Sequence, residues 1–203
     1  MYRGSRPRIL PVFITIIVVV VVIAILVTLV RSVLNRSSST ESTEETQEQS
    51  LQAAVIDQGT TRSVSWVVRG PIVANENFRS YQIEVTPTSR TYTVYSGYLD
   101  KVESQKTYDN NSQAYEQFTY ALDLTGVGTI RGNKEDEADI RGVCATDGLA
   151  YTFETANGTT TDHAVWSSTC KDSVGTLSAD PLKIQALFVN QIPDFKPIFN
   201  NIY

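Results

Sequence analysis

The longest apolar stretch of the chain runs from Ile9 to Val30 and contains no charged residue. Its 22 residues are mostly Val, Ile and Leu. A helix of that length rises about 33 Å, enough to cross a hydrocarbon core of about 30 Å, whereas a buried strand is normally about 5 or 6 residues long. The pattern therefore predicts a single transmembrane helix at residues 9–30.

Basic residues surround this stretch. Three arginines precede it, two follow it, and the first acidic residue comes only at Glu41. Because positive charge near the end of a span favours the cytoplasmic side, we expect residues 1–8 in the cytoplasm and the rest of the chain outside. A cleaved signal peptide is the alternative, but the stretch exceeds the usual core of about 7–15 residues and no small-residue cleavage pattern follows it. We therefore predict an uncleaved signal-anchor in the lipid bilayer.

Residues 31–60 contain mostly Ser, Thr, Glu and Gln and show no apolar period before Leu51. Such a segment buries too little apolar surface to offset the entropy lost on ordering, so it predicts a disordered linker. A flexible coil of about 25 residues would hold a following domain about 25–30 Å from the bilayer on average. A modified stalk is the alternative, since Asn35, Asn110 and Asn157 begin N-glycosylation sequences.

From residue 61 onward, apolar and polar positions alternate as they do in half-buried strands. Val64, Trp66 and Val68 share one face of the first predicted strand, which ends at Gly70-Pro71. Further strands are predicted at Arg79–Thr86, Arg90–Ser96 and Tyr98–Lys106. Short turns connect these strands, so the first half of the domain is predicted to be an antiparallel meander.

Two segments have the apolar spacing of helices. Asparagines at positions 110–111 supply caps for a helix at Ser112–Leu124, whose apolar stripe is predicted to pack on the sheet. Asp180-Pro181 supplies a cap and a first-turn proline for a second helix that ends before Pro193. The apolar tail at 195–203 is predicted to pack against the domain, with an exposed docking peptide as the alternative.

Residues 140–168 contain two dipeptides typical of two-residue hairpin turns, Asp147-Gly148 and Asn157-Gly158. Two such turns make a three-stranded meander in which Tyr151 lies opposite both Cys144 and Ala164. This register predicts that six residues share one buried face, because side chains alternate along a strand: Cys144, Leu149, Tyr151, Phe153, Ala164 and Trp166.

Strands followed by a helix, twice over, indicate an α+β fold. The predicted architecture is a single transmembrane helix followed by an antiparallel β-sheet domain with two packed helices. Its predicted parts are a cytoplasmic N-terminus at 1–8, the transmembrane helix at 9–30, the linker at 31–60 and an extracytoplasmic domain at 61–203. The 143 residues of the last part suit one domain with its own core.

The charge balance argues against a nucleic-acid partner. Beyond Arg36 the chain carries 12 basic residues against 22 acidic ones, a net charge of −10, and the basic residues are scattered. Binding to a phosphate backbone needs clustered Lys and Arg.

Cys144 and Cys170 are the only cysteines, and both lie in the predicted domain. An oxidising extracytoplasmic compartment favours a disulfide bond over two buried thiols, so we predict that they are joined. A loop of about 25 residues gives a stabilisation of about 3 kcal/mol in the chain-entropy model. Because a straight strand would carry Cys170 about 20 Å beyond Ala164, the chain must bend or bulge between them.

Few residue patterns point to catalysis. The only histidine is His163, and its neighbour Asp162 would point to the opposite side of a strand, so the two are not expected to act as base and orienting acid. The acidic loop 133–139 lacks the spacing of a calcium-binding loop. Three acids lie on predicted strands without a geometry that pairs them: Glu84, Glu103 and Glu154. We therefore assign no catalytic, cofactor-binding or metal-binding residue.

These observations predict a membrane-anchored, extracytoplasmic binding or structural domain rather than an enzyme. Its expected partners are the bilayer and an envelope protein or a cell-wall component. The alternative is a membrane-anchored hydrolase that uses acidic residues or a Ser/Lys pair. Two converging carboxylates in a concave pocket would favour the hydrolase.

Overall fold

The computed structural model describes residues 50–131, 148–170 and 174–199, all within the compact unit Thr46–Tyr203. They form an α+β domain with a six-stranded antiparallel sheet and three helices. The predicted fold class of this domain is thus confirmed. The predicted transmembrane helix at 9–30 lies outside the described residues. Among the helices that are described, none has the length and apolar character needed to cross a membrane.

The first strand of the chain lies in the middle of the sheet. The strands are β1 Arg62–Arg69, β2 Arg79–Val85, β3 Ser89–Ser96, β4 Lys101–Asp109, β5 Ala150–Asn157 and β6 Thr160–Ser168. The helices are α1 at residues 50–56, α2 Ser112–Asp123 and α3 Pro181–Val189. The strand order is β4-β3-β2-β1-β5-β6, so β1 pairs with β2 on one side and β5 on the other. The meander predicted for the first half of the domain therefore forms the contiguous strands β1 to β4 of a larger, six-stranded sheet.

The helices cover one face of this sheet. Val64, Trp66 and Val68 lie on that face and are fully buried, as their spacing predicts. The Trp66 ring stacks on Tyr151 of β5 and on Phe188 of α3, with ring centroids 5.6 and 6.1 Å apart. The opposite face carries Ser, Thr, Gln and Glu side chains at the alternate positions of the same strands. A sheet with one apolar and one polar face is usual for antiparallel pairing.

The predicted linker extends too far. Residues 50–56 form α1, in which Leu51 and Val55 are fully buried in the core. Two side chains next to these residues also bond α2: the Gln52 amide donates to Asp123, and the Gln58 amide donates to Thr119, each at 3.0 Å. Leu51, Ala54 and Val55 have the i, i+3, i+4 spacing of a buried helix face, but seven residues are too few to establish a helical period, and packing on the sheet supplies the stability that local propensity lacks. Residues 31–49 of the predicted linker lie outside the described residues.

The second predicted hairpin exists but with another register. The loop residues are Gly158 and Thr159, so Asn157 pairs with Thr160, and Tyr151 lies opposite Ser167 rather than Ala164. This shift of three positions moves Ala164 and Trp166 to the other face of the sheet, because an odd shift exchanges the faces. Tyr151 and Phe153 do lie in the core, as predicted. The first predicted hairpin includes Cys144 and lies largely outside the described residues.

Both predicted helices and the apolar tail are confirmed where they are described. The Asn111 side chain accepts from the Ala114 backbone N–H at the start of α2, and Asp180 caps α3 in the same way. In the tail, Phe195 packs edge-on against Tyr81 with ring centroids 5.8 Å apart. The tail is therefore part of the core at residues 195–199.

Candidate functional site

A buried arginine organises one end of the sheet. Arg62 opens β1 on the core side and is only 4% exposed. Its guanidinium forms ion pairs with Asp162 of β6 and with Asp57, the latter at 3.4 Å between Nε and Oδ2. It also donates from Nη2 to the Ala54 carbonyl oxygen of α1 at 3.1 Å. A buried charge is tolerated only when it is paired and hydrogen-bonded, so these contacts hold the residue in place.

A β-bulge brings Asp162 to this arginine. Thr155 pairs with His163 but Ala156 pairs with Thr161, which leaves Asp162 as an extra residue in β6. The Thr155 hydroxyl donates to Asp162 Oδ1 at 2.6 Å. The sequence-based expectation that Asp162 and His163 point to opposite sides assumed a regular strand, and it is wrong because the bulge interrupts the alternation. Both residues line the same cleft.

The Asp162 carboxyl is held in its charged form. Burial alone would raise its pKa, but the hydrogen bonds from Thr155 and Arg62, together with the charges of Arg62 and His163, lower the pKa below its usual value of 3.8. The carboxylate therefore remains an anion and an acceptor across the physiological pH range.

A cleft of about 330 Å³, here called the β6 cleft, opens beside this carboxylate. Its described lining comprises four polar residues, Thr161, Asp162, His163 and Thr176, and four apolar residues, Leu51, Ile130, Ala164 and Val165. Residues 174–177 bound it at the outer edge of β6, where the Leu177 backbone N–H donates to the Trp166 carbonyl at 2.8 Å. An apolar wall with a few convergent polar groups is typical of small-molecule sites.

Among the described residues of the cleft, no base is hydrogen-bonded to both a nucleophile and an orienting partner. A nucleophile needs a base within hydrogen-bond reach, and that base needs an orienting partner. The side chain of His163 makes no hydrogen bond to any described residue, and the carboxylate of Asp162 is occupied by Arg62 and Thr155. Within the described ranges, no three His, Cys, Asp or Glu side chains are placed to hold a metal ion.

A second polar group lies on the opposite face of the sheet. Ser65 pairs with Glu84 on one side and with Glu154 on the other, so the two glutamates flank one serine. The Ser65 hydroxyl donates to Glu154 Oε2 at 3.4 Å. Burial raises the pKa of Glu154, the hydrogen bond from Ser65 opposes that shift, and the charge of Glu84 adds to it. The third acid that the sequence placed on a strand, Glu103, is not part of this group.

The remaining sequence-derived candidates fall elsewhere. Glu103 forms an ion pair with Arg79 at 2.7 Å. The acidic loop 133–139 and Cys144 lie outside the described residues, so the predicted Cys144–Cys170 disulfide remains a prediction. Cys170 itself follows β6, and its backbone N–H donates to the Ser168 hydroxyl at 3.1 Å.

Sequence reasoning missed the residue that organises the site. Arg62 falls on the same alternation as Val64 and Trp66, at a position that faces the core. A charged residue at an inward position of a strand predicts a buried partner of opposite charge, and that was the available signal. Its partner Asp162 is 100 positions away and depends on a bulge, so it could not have been identified from spacing.

Comparison with known proteins gives no relative: no family model matches the chain, and no curated protein matches it significantly.

Proposed function

We propose that the protein is a single-pass membrane-anchored binding domain that works outside the cytoplasmic membrane and takes a small ligand in the β6 cleft. The observation that carries the binding function is the arrangement of Asp162 beside an apolar wall. Its carboxylate is locked by Arg62 and Thr155 and still lines the cleft. A charge fixed in this way orients a ligand without moving, which favours binding over proton transfer.

The anchor and the outward orientation are supported by the apolar stretch 9–30 and by the arginines beside it. An envelope protein or a cell-wall component, as source of the ligand, is the partner that this location would offer. The apolar wall of the cleft and its modest size favour a small group over a long polymer.

A thermal-shift screen of small polar molecules against the full-length chain in nanodiscs tests the binding function. His163→Trp enlarges a side chain that lines the cleft, whereas Leu182→Trp adds an indole to the exposed surface of α3. Compounds that stabilise the wild type and the Leu182 variant but not the His163 variant would support the proposal. A library that yields no such compound would contradict it.

A hydrolase using acidic residues is the second candidate, and one observation favours it. Glu84 and Glu154 share a face two strands apart, which puts their Cα atoms about 10 Å from each other at a strand spacing of about 4.8 Å. Glycoside hydrolases separate their two carboxyl groups by about 5 to 9.5 Å and need one with a raised pKa as the acid. For the Ser/Lys version, Ser65 bonds a carboxylate instead of a lysine.

Release of reducing ends from soluble polysaccharides distinguishes this candidate. A hydrolase would lose the activity in Glu154→Gln and in Glu84→Gln and keep it in Glu103→Gln, since Glu103 is held by Arg79. An activity that is absent from the wild type, or that survives the first two substitutions, would eliminate the second candidate.

A further inference from the structure

We infer that the β6 cleft is selective for a ligand that carries a protonated primary amine on a compact apolar body. This inference rests on the proposed binding function and adds the chemical class of the ligand. It follows from the charge at the cleft, from the acceptors that line it and from the aliphatic side chains of its lining.

The charge at the cleft is negative. Arg62 is shared between two carboxylates, those of Asp57 and Asp162, so this cluster keeps one uncompensated negative charge. Arg62 lies behind the wall and is itself buried, whereas Asp162 lines the cleft and its side chain is 33% exposed. Apart from His163, Asp162 is the only ionisable residue among the described residues that line the cleft. A cation in the cleft therefore meets the free side of a fixed anion.

The available hydrogen-bonding groups match an ammonium group. A carboxylate accepts up to about four hydrogen bonds, and Asp162 accepts one from Thr155 and one from Arg62. Two acceptor positions of this carboxylate therefore remain for a ligand. The hydroxyl of Thr161 supplies a further oxygen in the lining, whereas the Thr176 hydroxyl is buried and accepts from the Trp166 backbone N–H. An ammonium group brings three donors and no acceptor, which suits such a set.

The aliphatic residues of the lining limit the shape of the ligand. Leu51, Ile130 and Val165 are aliphatic, and a volume of about 330 Å³ lies at the small end of ligand pockets, which are about 300–1,000 Å³. No aromatic side chain is among the described lining residues, so the stacking that commonly holds sugar rings and bases is not offered there. A compact apolar body contacts these residues while the amine reaches Asp162.

Ligand-observed ¹⁹F NMR on the full-length chain in nanodiscs tests the selectivity with three probes of one shape. They are 4-fluorobenzylamine, 4-fluorobenzyl alcohol and 4-fluorobenzoate. We expect the amine to bind at least about tenfold more tightly than the alcohol, a ratio that corresponds to about 1.4 kcal/mol, and the benzoate to bind more weakly than both.

Two substitutions make the test specific. Asp162→Asn removes the charge that lines the cleft, whereas Asp57→Asn removes the same charge from the other side of Arg62. We expect the amine preference to disappear in the first variant and to remain at least threefold in the second, with thermal unfolding used to verify that both fold. Because His163 forms no ion pair with a described residue, loss of amine binding in His163→Trp would support the site even if Asp162→Asn unfolds.

The outcomes separate the two claims. Equal binding of the alcohol and the amine, abolished by His163→Trp, would overturn the amine selectivity and leave the binding cleft intact. Equal binding of both probes in His163→Trp and wild type would overturn the cleft as a site. Absence of binding by all three probes would overturn the amine selectivity, and the unbiased thermal-shift screen would then decide the binding function on its own.

Discussion

Arg62 is the residue on which the candidate site depends, because it connects β1, α1 and the bulge of β6. Its side chain is almost fully buried, whereas the side chains of Asp57 and Asp162 are 48% and 33% exposed. Replacing the arginine therefore removes its contacts with these carboxylates and with the Ala54 carbonyl, but leaves both carboxylates in contact with water.

We expect Arg62→Leu to lower the free energy of unfolding by about 1.5–3 kcal/mol, because the Ala54 carbonyl and the partly exposed carboxylates of Asp57 and Asp162 lose charge-assisted hydrogen bonds or ion pairs. Arg69→Leu is the matched control on the same strand. The Arg69 side chain is 29% exposed and its ion pair with Asp100 is longer, at 3.6 Å, so the control should cost less than about 1 kcal/mol. Chemical denaturation of both variants measures the difference, and equal costs would show that the buried cluster is not special.

Two glycines test how closely the segment after residue 174 lies against β6. Gly158 and Gly175 both have left-handed backbones, with φ of +62° and +71°. A Cβ at Gly158 would meet no atom within 4 Å, whereas one at Gly175 would lie 2.2 Å from the Trp166 carbonyl oxygen.

Gly158→Ala should therefore cost only the left-handed strain, about 1–2 kcal/mol. Gly175→Ala adds a steric clash, which should lower the free energy of unfolding by a further amount of about 1–3 kcal/mol, as overpacking does. Urea titrations of the two variants give both costs. A smaller cost at Gly175 than at Gly158 would contradict the close approach to β6.

The raised pKa of Glu154 predicts that the stability of the fold depends on pH. Burial raises the pKa of Glu154 above the ordinary value of 4.5, with the Ser65 hydrogen bond opposing and Glu84 reinforcing the shift. A raised folded-state pKa means a contribution to stability that is fully present below the unfolded value and is lost as pH rises through the folded value. The folded protein is therefore less stable when Glu154 is charged than when it is neutral.

Glu154→Gln is neutral at every pH, so its free energy of unfolding relative to wild type should increase as the pH rises from about 4 to about 7. Glu116→Gln, on the exposed side of α2, serves as the control and should show no comparable trend. Urea denaturation at several pH values measures both trends. A flat or opposite trend for Glu154→Gln would contradict the raised pKa.

At the scale of elements, hydrophobic period identified most of what is described. Alternation predicted β1, β2 and β3 within one residue at each end, and caps predicted where α2 and α3 begin. These elements were readable because each carries its own apolar pattern and its own turn residues. The later strand β4 begins at Lys101 rather than Tyr98, since residues 97–100 are used in the turn.

The two incorrect predictions, the β5–β6 register and the absence of helix α1, concern features that depend on long-range packing. The register of β5 and β6 was wrong because Gly158 sits at the first loop position rather than the second, which shifts the pairing by two, and because the bulge at Asp162 adds a third position; the resulting odd shift exchanges the two faces. Helix α1 was missed because its seven residues are too few to establish a helical period, although Leu51, Ala54 and Val55 have the spacing of one helix face. In both cases the deciding contacts lie far away in sequence, on β1 and α2.

A pair of substitutions in α1 tests whether this helix belongs to the folded domain. Leu51 is fully buried, whereas Ile56 is 48% exposed. Leu51→Ala should lower the free energy of unfolding by about 2–5 kcal/mol, the range for buried Leu→Ala changes, and Ile56→Ala should lower it far less. Thermal unfolding of the two variants compares them. Two small and equal effects would instead support a linker that extends to residue 60.

At the scale of the whole molecule, the order of the predicted elements indicated the fold class of the domain but not its candidate site. The α+β class followed from the order of strands and helices, and the sheet confirms it. The site could not be predicted, because the Arg62–Asp162 contact joins positions 100 residues apart and arises only when β6 bulges. The predicted disulfide between Cys144 and Cys170 follows from compartment and composition alone.

The anchored, outward-facing arrangement can be tested by the distribution of lysines. All six lysines lie at or beyond Lys101, and Lys101 is exposed on β4. A lysine-containing tag fused ahead of the chain marks the other side of the predicted span. Intact cells treated with a membrane-impermeant amine-reactive reagent should therefore give labelled Lys101 and an unlabelled tag, as read by mass spectrometry. A labelled tag with Lys101 modified only after lysis would contradict an anchored domain displayed outside the membrane.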